Sequence, residues 1–447
     1  MLFTIIAISV VLVVLLTAVF KVHPFLSLLI GAFFIGIMSG MPLVDVVESV
    51  NDGFGGLMKS IGIVIVAGTI IGVILEKSGA AYRMAEVVLR VIGNKRPQLA
   101  MSIIGYIVSI PVFCDSGFII LTSLKKALAK RAKVSIASMS VALATGLYAT
   151  HTLVPPTPGP IAAAGNIGAE NYLGTIIVIG LFVAIPAVIV GYFWAVKVAS
   201  KIEVPEDTDD SGLDYDEIIK SFGEMPSAFK AFLPIVLPIV LIGIGSIAAL
   251  SDKDTSFINF LEFLGAPSVA LLLGVFAAFL LLPKLNEETM TNWIGEGLKG
   301  AAPILLITGA GGAFGKVIAN SGVADLIANM NMDALSGALF LLIPFIIAAA
   351  LKTAQGSSTA SLVITSTLIA PLLPTMGIEG AVPLALVVMA IGAGAMTVSH
   401  VNDSFFWVIT EFSGMKVTDA YKAQTMATLL QGVTTIVVTM ILWTILV

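Results

Sequence analysis

Apolar positions run almost unbroken over residues 2 to 20, 25 to 40, 60 to 75, 135 to 150 and 174 to 196. The same happens over 231 to 250, 267 to 283, 301 to 319, 381 to 398 and 422 to 447. A helix needs about 20 apolar residues to cross the hydrocarbon of a bilayer, so the pattern predicts five crossings in each half. Between the two sets lies a polar stretch, 201 to 230, which holds nine acidic residues from Glu203 to Glu224 against Lys201, Lys220 and Lys230. Such a run buries no apolar surface. It reads as a solvated linker between an N-terminal repeat, 1 to 200, and a C-terminal repeat, 231 to 447. An odd number of crossings per half inverts the second repeat relative to the first.

Each half also contains a pair of shorter apolar arms, near 99 to 113 with 118 to 124, and near 338 to 351 with 360 to 373. The arms meet at polar tips, Pro111-Val-Phe-Cys-Asp-Ser-Gly117 and Lys352-Thr-Ala-Gln-Gly-Ser-Ser-Thr359. Unwound backbone at membrane depth persists only against protein or a wet cavity, so both pairs read as re-entrant hairpins. The expected fold class is therefore an all-α integral membrane protein of two inverted-topology repeats. Each repeat carries five crossings, one re-entrant hairpin and one broken helix.

Charge gives the arrangement a direction, because cytoplasmic flanks collect Lys and Arg. Lys77, Arg83, Arg90, Lys95, Arg96, Lys125, Lys126, Lys130, Arg131 and Lys133 surround the first hairpin, whereas 319 to 338 and 374 to 385 around the second hold no base. The hairpins should enter from opposite faces. With the first cytoplasmic, Lys21, Lys197, Lys284 and the linker fall inside and both termini outside. Between the halves, Gly68, Gly72, Ser78 and Gly79 line up with Gly311, Gly315, Ser321 and Gly322, small residues that let helices approach closely.

Composition agrees with a membrane setting: 11% of residues are charged and 58% hydrophobic, a balance a solvated globular surface does not sustain. No base precedes the first apolar segment, and a cleaved signal peptide is not expected. The lone Cys114 excludes an intramolecular disulfide and leaves no familiar zinc pattern. No metal, cofactor or nucleic-acid partner is expected. Gly309-Ala-Gly-Gly-Ala-Phe-Gly-Lys316 is not a phosphate loop, since GxxxxGK would begin at Ala310 and Val317 stands where Ser or Thr is required.

Two of the three histidines, His151 and His400, follow equivalent apolar helices. After His151 comes Val154-Pro-Pro-Thr-Pro-Gly-Pro160, whose prolines cannot continue a helix, and after His400 comes Val401-Asn402-Asp403-Ser404. Discontinuous helices in corresponding positions of two halves mark a transporter site, because their freed ends present fixed partial charges. Amides near Ser116 and Gly117, and from Gly356 through Ser357 to Thr359, lie at the starts of returning arms and suit a carboxylate. Hydroxyls and amides at Ser116, Thr152, Thr157, Asn166, Thr353, Gln355, Ser357, Ser358, Thr359, Ser399, Asn402 and Ser404 suit a polyhydroxylated body; backbone capping is the competing role for each. Asp115, His151, Lys352, His400 and Asp403 are ionisable groups at membrane depth and thus functional candidates. Asp115 and Asp403 suit proton carriage, with His151 and His400 beside the breaks, and Lys352 suits neutralising an anion. His23, near a span end, suits a structural role at the interface.

Val154-Pro-Pro-Thr-Pro-Gly-Pro160, Ala354-Gln-Gly-Ser-Ser-Thr-Ala360 and Ser399-His-Val-Asn-Asp-Ser404 resemble motifs of the gluconate:proton symporter (gluconate permease) family of the ion-transporter superfamily. Lys21-Val-His-Pro-Phe25, Ser78-Gly-Ala-Ala81, Gly309-Ala-Gly-Gly-Ala-Phe314 and the Pro111 to Gly117 tip follow in the family's order, so the resemblance runs nearly end to end. It implies a proton-coupled symporter of small organic anions in a bacterial inner membrane. It also implies a homodimer built on scaffold elements, with hairpins and broken helices moving as an elevator. Members take gluconate, related aldonates and short hydroxy acids, or D-serine; His400-Val-Asn-Asp403 is more similar to the gluconate type.

Sodium coupling stays open beside proton coupling, since unwound carbonyls and hydroxyls also hold Na⁺. A channel would need a continuous lined path. A hydrolase built on Ser116 with Asp115, or Ser404 with His400, would need a nucleophile and base that sequence adjacency does not supply.

Overall fold

The computed structural model describes residues 2–93, 96–204, 225–248, 255–321, 337–401 and 403–447. Most of the acidic linker (205 to 224) and Asn402 lie outside the described residues. Among the described residues the secondary structure is helical, with no strand. The first half contains α1 (Leu2–Ala18), α2 (Pro24–Met38), α3 (Leu43–Lys77), α4 (Ala80–Ile92), α5 (Pro97–Val108), α6 (Cys114–Ile120), α7 (Thr122–Ala132), α8 (Ile136–Leu153), α9 (Pro158–Asn166) and α10 (Leu173–Lys197). The second contains α11 (Ala228–Ala248), α12 (Ser256–Gly265), α13 (Pro267–Ala278), α14 (Ile294–Asn320), α15 (Leu342–Gln355), α16 (Ser358–Ile369), α17 (Ala381–Ala395), α18 (Ser404–Ser413) and α19 (Met426–Leu446).

Each apolar run of the sequence carries helix, but length and composition alone qualify six segments as membrane spans among the described residues. A seventh arises if Ser256–Gly265 and Pro267–Leu281, bent by 65°, count as one. Shorter apolar helices include α2, the hairpin arm α5 and α17 before a break.

Two helices escape a reading based on uninterrupted apolar runs. The helix α3 starts at Leu43, well before residue 60, because Val46, Ser49, Val50 and Gly53 form a buried stripe at helical spacing while Asp45, Glu48 and Asp52 face outward. The helix α4 is amphipathic in the same way, burying Tyr82, Met84, Ala85 and Val88.

Long α3 lies against long α14, so the two halves share one packed body. At their crossing a side chain on Gly53 would strike the Gly312 carbonyl, and one on Gly312 the Gly53 carbonyl. Higher on α3, a Cβ at Gly68 or Gly72 would sit 2.7 Å from the carbonyl oxygen of Pro156 or Pro111. Glycine there lets α3 back both the broken helix and the first hairpin tip. In each half the first hairpin arm packs on the helix before the break, α5 on α8 and α15 on α17. The helices after the breaks cross over: α9 packs on α16 and α18 on α6.

Candidate functional site

Four chain interruptions build the site. In the first hairpin α5 ends at Val108, the Ser109 hydroxyl donates to the Val112 carbonyl (2.9 Å), and α6 restarts at Cys114. In the second, α15 ends on Gly356, whose φ of +83° suits glycine, and the Ser357 hydroxyl caps α16 by accepting from the Ala360 amide at 3.2 Å. The helix α8 ends at Leu153, passes through a cis Pro155–Pro156 bond and resumes as α9 with Pro158 in its first turn. The helix α17 ends at Ala395, and α18 is capped by the Asp403 carboxylate, which accepts from the Phe405 amide at 3.1 Å.

Both hairpin tips and the start of α18 meet α8 around a cavity of about 270 Å³. Its walls are Phe113, Cys114, Asp115, Tyr148, His151, Gln355, Gly356, Ser357, Ser358, Thr359, Asp403, Ser404 and Phe405. Nine of the sequence candidates therefore converge: Asp115, His151, the run Gln355 to Thr359, Asp403 and Ser404. The start of α16 faces this space, and the first amides of a helix lack intrahelical partners and attract anions. Two buried atoms on the wall, His151 Nδ1 and Gln355 Nε2, have no hydrogen-bond partner among the described residues.

Two hydrogen-bonded sets organise the cavity. Lys352 Nζ, with its side chain 1% exposed, donates to Asp403 Oδ2 at 2.7 Å and to the Gly356 carbonyl at 2.5 Å. The Ser399 hydroxyl donates to the same Asp403 oxygen at 2.5 Å. Lys352 thus stands in a closed ion pair rather than presenting a free charge. Asp115 is different: Oδ1 accepts from the Ser404 hydroxyl at 3.3 Å and Oδ2 from the Cys114 thiol at 3.6 Å.

Other candidates serve the scaffold around the cavity. Gly117 packs against Leu147, and Ser116 lies beside Glu76. The Thr152 hydroxyl donates to the Tyr148 carbonyl at 3.0 Å, Thr157 to Val154 at 2.6 Å and Thr353 to Ala349 at 2.8 Å. Asn166 lies away from the site and ties α9 to α16 through Val363 O (3.1 Å) and Ser366 Oγ (2.8 Å). The His400 ring nitrogen Nε2 lies 2.8 Å from the Thr353 carbonyl, and Lys21 donates to the Ala354 carbonyl at 2.9 Å. With Lys352 on Gly356, three basic side chains cover the carbonyl end of α15, where the helix dipole is negative. His23 caps α2, its Nδ1 accepting from the Phe25 amide at 3.3 Å.

Sequence reasoning passed over Tyr148, Phe113 and Phe405. The Tyr148 hydroxyl is 2.6 Å from Ser358 Oγ and its ring lies under Lys352 Nζ at 5.6 Å. Tyr148 precedes His151 by one helical turn, and that shared face was the available signal. Lys125 was also missed as a buried group; it donates to the Phe412 carbonyl at 3.1 Å over the Phe118 ring. A larger cavity of about 570 Å³ between α3, α14 and the far end of α16 is mainly apolar. The smaller one has the convergent polar groups expected of a ligand site. Among the described residues no three His, Cys, Asp or Glu side chains group as a metal set.

Apolar helices whose interruptions enclose a polar cavity are the architecture of a membrane transport protein. The chain belongs to the GntP family permease group, whose family profile matches residues 1–446. It is 38% identical to an uncharacterized permease of Haemophilus influenzae over 88% of this chain and 82% of that one. It is 33% identical to a gluconate permease of Pseudomonas aeruginosa over 93% and 91%, respectively. It is 32% identical to the D-serine transporter DsdX of Escherichia coli K12 over 97% and 96%. These relatives are permeases and transporters rather than enzymes. A similar fold occurs in the crystal structure of the Alcanivorax borkumensis YdaH transporter, with TM-score 0.62 at 14% identity over 95% of this chain and 97% of that one.

Proposed function

We propose that this permease is a secondary active transporter taking up gluconate or a closely related sugar acid with protons, by elevator-type alternating access. It does so as a multi-pass homodimer in a bacterial inner membrane. The observation that carries the reading is the convergence of the α16 start, the Ser357, Ser358, Thr359 and Ser404 hydroxyls and the Asp115 carboxyl on one small cavity. The substrate carboxylate sits at the start of α16, where amide dipoles favour an anion. Its hydroxylated chain extends toward Ser404 and toward His151 and Gln355, whose buried ring nitrogen and amide have no partner among the described residues.

The two repeats, 1 to 200 and 231 to 447, are read as inverted copies joined by a cytoplasmic linker at 201 to 230, with both termini outside. The reciprocal packing of α9 on α16 and α18 on α6 supports this, as do the bases around only the first hairpin. The hairpins and broken helices form the moving unit, and protonation at the site compensates charge as it crosses.

Purified protein in liposomes should accumulate labelled gluconate under an inward pH gradient and not under a Na⁺ gradient alone. A panel of gluconate, other aldonates, glycerate and D-serine fixes the substrate. D-serine as the sole transported member would reject the sugar-acid reading. The D-serine transporter among the relatives makes it the second candidate.

A further inference from the structure

We propose that Asp115 alone is the proton-coupling carboxyl, that Lys352 and Asp403 form a fixed strut, and that coupling arises because an ionised Asp115 and the substrate carboxylate exclude one another. The inference rests on the proton-coupled anion reading of the same cavity.

The two carboxyls differ in what surrounds them. Asp403 is 4% exposed and fully engaged: Lys352 and Ser399 on one oxygen, the Phe405 amide on the other. Lys352 is equally committed, to Asp403, to the Gly356 carbonyl and to the face of Tyr148. Removing a proton acceptor from this set would strand a buried charge. Its charges cancel and stay fixed while the start of α18 and the Gly356 turn are held together.

Among the described residues Asp115 receives a hydroxyl and a thiol, from Ser404 and Cys114, and its own backbone amide. The charged group acting on it is Asp403, of like sign. The other groups around it are polar, acidic or already bonded. The Tyr148 hydroxyl bonds Ser358, and His151 on α8 lines the same cavity. From α3, the Glu76 carboxyl lies beside the neighbouring Ser116. On α7 and α4, Lys125 is held by the Phe412 carbonyl and Arg83 by Glu86. With the Lys352 pair neutral, an ionised Asp115 gives the cavity an uncompensated negative charge.

A monoanion entering that space meets repulsion within a few ångströms, where a low effective dielectric makes like charges strongly unfavourable. A proton on the Asp115 carboxyl removes the charge and leaves an O–H that donates to the substrate or to solvent. The carboxylate gains one proton from one face and returns it to the other, so each anion moves with one proton. Because linkage is reciprocal, the anion in turn raises the affinity of Asp115 for its proton.

The test is binding of [¹⁴C]gluconate to the purified full-length protein between pH 5.5 and 8.5. One linked proton makes the wild-type apparent Kd rise about tenfold per pH unit on the alkaline side. Asp115→Asn should bind with a flat pH profile, keep gluconate counterflow in liposomes and lose accumulation driven by a pH gradient. Asp115→Glu should restore the slope, which shows that the carboxyl and not the fold of the tip carries it. An Asp115→Asn protein that retains the tenfold slope or pH-driven accumulation overturns the inference and leaves the substrate reading intact. A wild type that binds no gluconate at any pH removes both.

Discussion

Lys352 Nζ and Asp403 Oδ2 meet at 2.7 Å with 1% and 6% of their side chains exposed, joining the second hairpin to the helix break. Breaking a buried pair strands one charge and costs about 3–5 kcal/mol, more than removing both partners. Lys352→Met and Asp403→Asn should each lower unfolding stability in detergent by that order, and the double variant should regain part of it. Equal, additive losses would mean that the pair is not coupled.

Tyr148 and Ser358, 2.6 Å apart, connect α8 of one half to α16 of the other. A hydrogen bond of this kind contributes about 1 kcal/mol. Tyr148→Phe should therefore lower unfolding stability in detergent by about 1 kcal/mol. Adding Ser358→Ala should bring little further change.

The crossing of α3 and α14 tolerates no side chain at Gly312, while Gly315, one turn on, meets nothing within 4 Å. Gly312→Val should abolish the monodisperse peak in size-exclusion chromatography, as overpacking a helix crossing forces the backbones apart. Gly315→Ala should elute as the wild type does.

Asn166 bonds the Val363 carbonyl and Ser366, away from the small cavity. Asn166→Ala should leave the KM for the transported anion within twofold and reduce stability by about 1 kcal/mol. A large KM change with unaltered stability would move Asn166 into the binding site.

Lys133 and Glu379 are both exposed and flank the first and second hairpins. In a Cys114→Ala background, a cysteine at 133 should react with a membrane-impermeant maleimide only in inside-out vesicles. A cysteine at 379 should react only in right-side-out ones. Labelling from the same face would reject opposite entry of the hairpins.

Much of the site was legible because irregular backbone at membrane depth demands particular residues. Prolines after His151, the Gly356-Ser357 turn and the polar run at Asp403 each announced a break, and each break is present. The N-terminal reach of α3 was not legible as an apolar run, since its first turns bury only one stripe. Tyr148 lay hidden within an apolar segment for the converse reason: all of α8 from Ala137 to Leu153 is buried, so composition gave no preferred face.

By itself the sequence determined that lipid is the solvent and where the helices must stop, because both follow from local chain chemistry: apolar length, missing proline donors and glycine turns. Only the tertiary structure decided which broken ends meet. Tyr148 finds Ser358, Asp115 finds Ser404 and Lys352 finds Asp403 because close helix crossings bring distant segments into hydrogen-bond reach. That packing turned Lys352 from a free cation into half of a neutral pair, and left Asp115 facing the cavity without a basic partner among the described residues.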